Sequence, residues 1–134
     1  MTTPVLLDAS CLLAWAFAES GSDTVDAVLP EAYVTAVNMA EVIAKLDRMG
    51  EPGMAFAGDL VAAGLTVLPM GWSHTSHVAT VVACEGATGS RRRLSLGDLC
   101  CLAYAIEHEM QAWTSDHDWA LLDLPVPVVV IRDR

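Results

Sequence analysis

The 134-residue sequence predicts an α/β fold, a three-layer α/β/α sandwich with a mostly parallel central sheet. Two observations carry that prediction. Short apolar runs such as Val5-Leu6-Leu7, Leu65–Leu68 and Val126–Ile131 have the length of buried strands. Between them lie longer segments whose apolar residues recur at helical spacing, and strands alternating with helices imply a parallel sheet covered on both faces. No repeat, low-complexity tract or linker interrupts the chain, so residues 1–134 are read as one domain. A chain of this length buries roughly two thirds of its unfolded surface and needs neither disulfides nor a structural metal.

The elements follow in order. Val5-Leu6-Leu7 opens the sheet, and a helical pattern runs from about Ser10 to Glu19 before Ser20-Gly21-Ser22 breaks it. A short helix over Asp23–Val28 and a strand at Tyr33-Val34 come next, separated by Pro30. Val37–Met49 is helical, with Gly50 where a C-terminal cap belongs. Met54–Ala63 is a further helix ending at Gly64, and Leu65–Leu68 a strand. Trp72–Cys84 has a helical pattern, and Glu85–Ser90 is a loop of mostly small residues. The remaining elements are a strong helix over Leu96–His108, a strand at Gln111–Thr114, a short helix at Trp119–Leu122 and a closing strand over Val126–Ile131.

Charge and cysteine content narrow the function classes. Seventeen Asp and Glu against seven Lys and Arg give a formal charge of −10, which excludes a basic domain held to nucleic acid by its overall field. An enzyme whose carboxylates meet phosphate through a cation is not excluded. The start Met1-Thr2-Thr3-Pro4 lacks a basic n-region, and the longest apolar run, Cys11–Ala18, is far short of the ~20 residues of a membrane span. The expectation is a cytoplasmic protein with no membrane contact. Cys11, Cys84, Cys100 and Cys101 form no CxxC pair and read as reduced core residues.

Four acids stand where a parallel sheet binds ligands, at strand exits and helix starts. Asp8 follows the first strand, Asp116 follows the Gln111–Thr114 strand, Asp98 lies in the first turn of the Leu96 helix, and Glu41 lies early in the Val37 helix. Two carboxylates ~4 Å apart repel by ~4 kcal/mol at an effective dielectric of 20, so a converging cluster needs a cation or shared protons. All-oxygen ligation favours Mg²⁺ or Mn²⁺ over zinc. Each acid also has a plainer reading. Asp8 and Asp116 fit helix N-caps, Ser95 and Asp98 fit a capping box, and Glu41 fits an i, i+4 pair with Lys45.

Four motifs in order carry a resemblance. They are Val5-Leu6-Leu7-Asp8-Ala9-Ser10, Thr35-Ala36-Val37-Asn38-Met39-Ala40-Glu41-Val42, Leu94-Ser95-Leu96-Gly97-Asp98 and Thr114-Ser115-Asp116. With these the sequence resembles PIN-domain ribonucleases of the VapC toxin kind, from type II toxin–antitoxin pairs. The resemblance implies a PIN-like fold and an acidic quartet of Asp8, Glu41, Asp98 and Asp116. Asp8, Asp98 and Asp116 would hold Mg²⁺, for which Mn²⁺ could substitute, and Glu41 would orient or deprotonate the attacking water. Asp118 matches an auxiliary acidic position, and Ser10, Asn38 and Thr114 match positions lining the pocket. The implied activity is endoribonuclease hydrolysis of RNA phosphodiesters, in substrates such as tRNA or ribosomal RNA. A cognate antitoxin as inhibitor and a homodimer are implied with it.

Other features stay open at the level of sequence. Arg91-Arg92-Arg93, three of the seven basic residues, could clamp RNA phosphate beside Asp98 or merely solvate a loop. His74, His77 and Cys84 could bind a transition metal, but read better as surface or packing residues, and His117 reads as a turn residue. Trp15, Trp72, Trp113 and Trp119 read as core or interface packing rather than base-stacking platforms. The Met39, Val42, Ile43 and Leu46 face, with Met54–Leu60, could hold an antitoxin helix or be ordinary core. The alternative to an enzyme is a PIN-fold binding module acting through an antitoxin in a DNA-binding repressor complex. A phospho-acceptor signalling domain fits worse, because Leu65–Leu68 ends in Pro69-Met70-Gly71 without an acid.

Overall fold

A computed structural model describes residues 2–87 and 93–132. Five strands form one sheet in which every pairing is parallel: β1 (Val5–Leu7), β2 (Ala32–Thr35), β3 (Thr66–Leu68), β4 (Gln111–Thr114) and β5 (Val128–Val130). Their order is β3-β2-β1-β4-β5, so β1 lies at the centre. Successive residues of a strand face opposite sides of the sheet, and the core divides accordingly. Leu7, Ala32 and Val34 join one apolar cluster with α1 (Ala9–Ala16), α2 (Ser22–Val28), α3 (Ala36–Arg48) and α4 (Gly53–Ala62). Leu6, Tyr33 and Ala112 join a second cluster with α6 (Val78–Ala87), α7 (Leu96–His108) and a 3₁₀ turn at His117–Leu121. Two clusters on two faces make the three layers. No helix among the described residues is long and apolar enough to cross a membrane.

The departures from the sequence expectation have local causes. Helix α1 stops at Ala16 rather than Glu19, and two residues on Ala18 adopts a left-handed φ of 50° that no helix continues. The single helix expected over Trp72–Cys84 is two, α5 (Trp72–Thr75) and α6. The Thr75 and Ser76 hydroxyls donate to the Trp72 and Ser73 carbonyls, at 2.7 and 2.8 Å, occupying acceptors at the break. Helix α6 then runs on to Ala87, past the expected loop start, and residues 88–92 lie outside the described structure. Strand β3 is an edge strand with Thr66 and Val67 exposed, not one buried on both faces. The closing strand is trimmed to Val128–Val130, because Pro125 and Pro127 have no N–H to give a ladder. Gly64, which ends α4, has φ +112°, and a Cβ there would lie 2.6 Å from Pro30 Cα.

Of the apolar face formed by Met39, Val42, Ile43 and Leu46 with Met54–Leu60, Met39, Val42, Leu46, Ala57 and Leu60 are buried as core, Ile43 is half-buried and Met54 is exposed. Cys11 and Cys101 are buried, whereas Cys84 and Cys100 are only half-buried, and all four are free thiols. Trp119 is fully buried, but Trp72 is 90% exposed and so lies outside the core.

Leu6 sits fully buried at the centre of the sheet. Leu6→Ala is therefore expected to cost about 2–5 kcal/mol in urea unfolding, and a loss below about 1 kcal/mol would contradict this packing.

Candidate functional site

Strand order reverses about β1: the chain leaves it for β2 and β3 on one side and returns to β4 and β5 on the other. Such a switch opens a crevice at the carboxyl ends of the central strands. Asp8 stands at the end of β1, and Thr114-Ser115-Asp116 at the end of β4. The Asp8 N–H donates to the Trp113 carbonyl at 3.0 Å, tying the two strand ends together.

Asp8 is 3% exposed and caps α1 by accepting the Cys11 N–H at 3.0 Å. The Ser10 hydroxyl donates to Oδ1 and the Thr114 hydroxyl to Oδ2, both at 2.6 Å. The backbone dictates these directions. The Ser115 and Asp116 N–H groups donate to Ser10 Oγ and Thr114 Oγ1 at 2.9 and 3.1 Å, so each hydroxyl turns its one hydrogen toward Asp8. The same two hydroxyls thus hold the Asp8 carboxylate and the backbone that presents Asp116. Asp116 in turn accepts the Asp118 N–H at 2.9 Å and heads the 3₁₀ turn.

Glu41 is placed from the opposite side. Thr35 ends β2 and caps α3 by accepting the Asn38 N–H at 3.1 Å, while its hydroxyl donates to Asn38 Oδ1 at 2.5 Å. That fixes the Asn38 amide, whose NH₂ donates to Glu41 Oε1 at 2.8 Å and to the Gly97 carbonyl at 3.1 Å. The Glu41 carboxylate rests against Gly97, where any Cβ would overlap it. Asp98, next in sequence, closes a capping box with Ser95: its N–H donates to Ser95 Oγ at 3.1 Å, and Oδ2 accepts the Ser95 N–H at 3.2 Å. The plainer capping readings of Asp8, Asp98 and Asp116 are all realised, and the caps are what aim these carboxylates. A Glu41–Lys45 ion pair does not occur; Asn38 is the partner instead.

The acids meet in two adjoining clefts that share Asp8, Ser10 and Asp98. A cleft of about 690 Å³ between α1 and α3 is lined by Asp8, Glu41 and Asp98 together with Leu13, Val37 and Met49. A second, of about 630 Å³, brings Asp8 and Asp98 together with Asp116, Asp118 and Arg132. Burial pushes the Asp8 carboxyl up to about 6, against the pull of its hydrogen bonds and with a push from Asp98. Burial raises Glu41 as well, again with Asp98 adding repulsion. Among the described residues the hydrogen-bond donors on Asp8 are all neutral. A buried carboxylate satisfied by neutral donors and repelled by a neighbouring acid suits an oxygen-ligated divalent cation, and Asp8, Asp98 and Asp116 supply hard oxygen ligands.

Arg93 is exposed and lines neither cleft, and Arg91 and Arg92 lie outside the described residues. His117 does line the second cleft. Sequence reasoning assigned no role to Thr35, Gly97, Ser115 or Arg132. The first three fall inside the quoted motifs, and their neighbours' need for placement is the signal that could have found them. Arg132 donates from Nε and Nη2 to the Ser115 carbonyl and hydroxyl, both at 3.0 Å, a contact between distant segments that sequence does not display.

A carboxyl raised from 3.8 to about 6 makes its ionised form the costly one in the folded state. Its contribution to stability is therefore present below about pH 4 and lost as pH climbs through 6. In metal-free protein, Asp8→Asn is expected to remove up to about 3 kcal/mol of that loss, read as unfolding free energy at pH 4 and pH 7 for both proteins. Equal pH dependence in the two would contradict it.

The sequence matches the PIN domain model over residues 5–124. Among curated proteins, none matches it. The fold is similar to that of a DNA-bound VapBC complex from Salmonella typhimurium, with a TM-score of 0.74 at 12% identity, covering 97% of this chain and 99% of that one. It is similar to VapC20 of Mycobacterium tuberculosis, a Sarcin-Ricin loop cleaving toxin, with a TM-score of 0.68 at 13% identity, covering 90% of this chain and 95% of that one. VapBC-5 from the same organism gives 0.62 at 22% identity, covering 98% and 100%. Motifs, strand order and family model agree, and the chain belongs to the PIN domain family.

Proposed function

We propose that the protein is a Mg²⁺-dependent endoribonuclease toxin, cutting RNA phosphodiesters and restrained by a cognate antitoxin. The single observation that supports this most is the hydroxyl-clamped Asp8 sharing its clefts with Glu41, Asp98 and Asp116. Asp8, Asp98 and Asp116 would hold the divalent cation, which neutralises phosphate charge and lowers the pKa of bound water when present. Glu41, held by Asn38 and raised in proton affinity by burial, takes the proton of the attacking water. Ser10 and Thr114 keep the Asp8 oxygens oriented through the reaction. Hydrolysis leaves a 5′-phosphate and a 3′-hydroxyl. The fold neighbours include VapBC complexes and a VapC described as a Sarcin-Ricin loop cleaving toxin, which supports both the substrate class and an antitoxin partner. The outer α1–α3 cleft, with Leu13, Val37 and Met49 beside the acids, is the surface an antitoxin segment would cover.

Purified protein is expected to make discrete cuts in total RNA with Mg²⁺ or Mn²⁺, and none after chelation or in Asp98→Asn. Cleavage that persists in Asp98→Asn would overturn the assignment. Antitoxin binding without any cleavage by the wild type would favour the binding-module reading. Gly97→Ala gives a finer test. The atoms that must yield are the flexible end of Glu41, so stability is expected to hold while the cleavage rate falls about tenfold or more. An unchanged rate would remove Glu41 from the reaction.

A further inference from the structure

We propose a second, chemically different metal site, for a divalent transition-metal ion of the zinc class, formed by His74, Glu107 and His108 with His77 at its rim. It lies at the opposite end of α7 from Asp98, about 14 Å along the helix axis. The sequence left His74 and His77 as surface or packing residues with a transition-metal site possible; after the break at Thr75, His74 packs inward onto α7.

His74 Nε2 lies 2.9 Å from Glu107 Oε2 and 2.9 Å from His108 Nε2, and His108 Nε2 lies 3.4 Å from Glu107 Oε2. Ligands about 2.1 Å from a tetrahedral ion stand about 3.4 Å apart, so the three atoms need move only a few tenths of an ångström to share one. His77 Nε2 lies 3.5 Å from Glu107 Oε1, the oxygen facing away from the other two ligands, so it stands outside the three-ligand group and a water fills the fourth position. The rings are held for the purpose. His74 stacks on Tyr104 with centroids 4.3 Å apart at 15°, and Tyr104 packs on His108 one turn along α7 at 4.5 Å. Ser73 Oγ donates to Glu107 Oε2 at 3.0 Å, so the carboxylate is oriented as well.

Without metal, the Gly71 N–H donates to His74 Nδ1 at 2.9 Å, which leaves the ring hydrogen on Nε2, shared with Glu107 and His108. An ion at Nε2 replaces that hydrogen, the proton moves to Nδ1, and the Gly71 N–H contact to Nδ1 is given up. Imidazole nitrogens favour zinc, cobalt or nickel, and the carboxylate clefts are filled by magnesium when it is in large excess, so coordination geometry distinguishes the two sites. Occupied, the site would staple the one-turn α5 to the end of α7.

The test is a Co²⁺ titration of the full chain in excess Mg²⁺. A nitrogen-rich four-coordinate ion gives strong visible d–d absorption, and a six-coordinate all-oxygen ion gives a weak spectrum. The expected result is one strong-absorbing equivalent, displaced by Zn²⁺, unchanged in Asp98→Asn. Affinity should fall more than about 100-fold in His108→Ala and in Glu107→Gln. A weak spectrum, no binding, or an undiminished spectrum in Glu107→Gln overturns the site. Glu107→Gln keeps side-chain size and decides the matter if His108→Ala fails to fold. Cleavage is not read, so failure here leaves the nuclease reading standing, and the reverse.

Discussion

The rest of the structure depends on one buried charge. Asp8 sits at the end of the central strand, almost wholly removed from water, with two hydroxyls and one amide N–H on its oxygens. Ionising such a carboxyl costs free energy that neutral donors offset only in part, so burial pushes its pKa up to about 6. The fold accepts this cost because the hydroxyls that hold Asp8, those of Ser10 and Thr114, also join β1 to the backbone that carries Asp116. The strained electrostatics of one residue and the register of the central strands are one interaction. A cation bound at Asp8, as proposed, would relieve the first without disturbing the second.

Helix capping is the means by which the sheet aims its acids. In a parallel sheet each strand exit is followed by a helix start, and a helix start wants an acidic or hydroxyl side chain facing its free N–H groups. Asp8, Asp98 and Asp116 satisfy that local demand while their remaining oxygen surface faces the clefts. Choosing between a capping role and a chemical role for these residues is therefore a false alternative. Glu41 differs, since it lies one turn inside α3 and is aimed by Asn38 and by the missing side chain at Gly97.

The alternation of strands and helices was legible because buried strands and amphipathic helices have distinct periods, and the Leu96–His108 helix begins and ends as its caps indicate. The acid positions were legible for the same reason, as they fall where periodicity changes. What sequence hid is whatever depends on pairs far apart in the chain. Arg132 on Ser115, Gly97 under Glu41 and Glu107 against His74 are such pairs. The break between α5 and α6 was hidden too, because Thr75 and Ser76 suit a helix surface until their hydroxyls take backbone carbonyls. A formal charge of −10 misleads for a related reason: it sums over the surface, whereas the second cleft gathers four carboxyl groups against one arginine.

The claim that the hydroxyl clamp on Asp8 builds a cation seat is tested most directly by Mn²⁺ binding to the wild type and to Thr114→Val. Valine keeps the shape of threonine and removes only the hydroxyl shared by Asp8 and the Asp116 N–H. Measured by calorimetry with both proteins carrying Glu107→Gln, so that His74 and His108 offer no competing site, the affinity is expected to fall about 10- to 100-fold in the folded variant. An affinity equal to that of the wild type would contradict it.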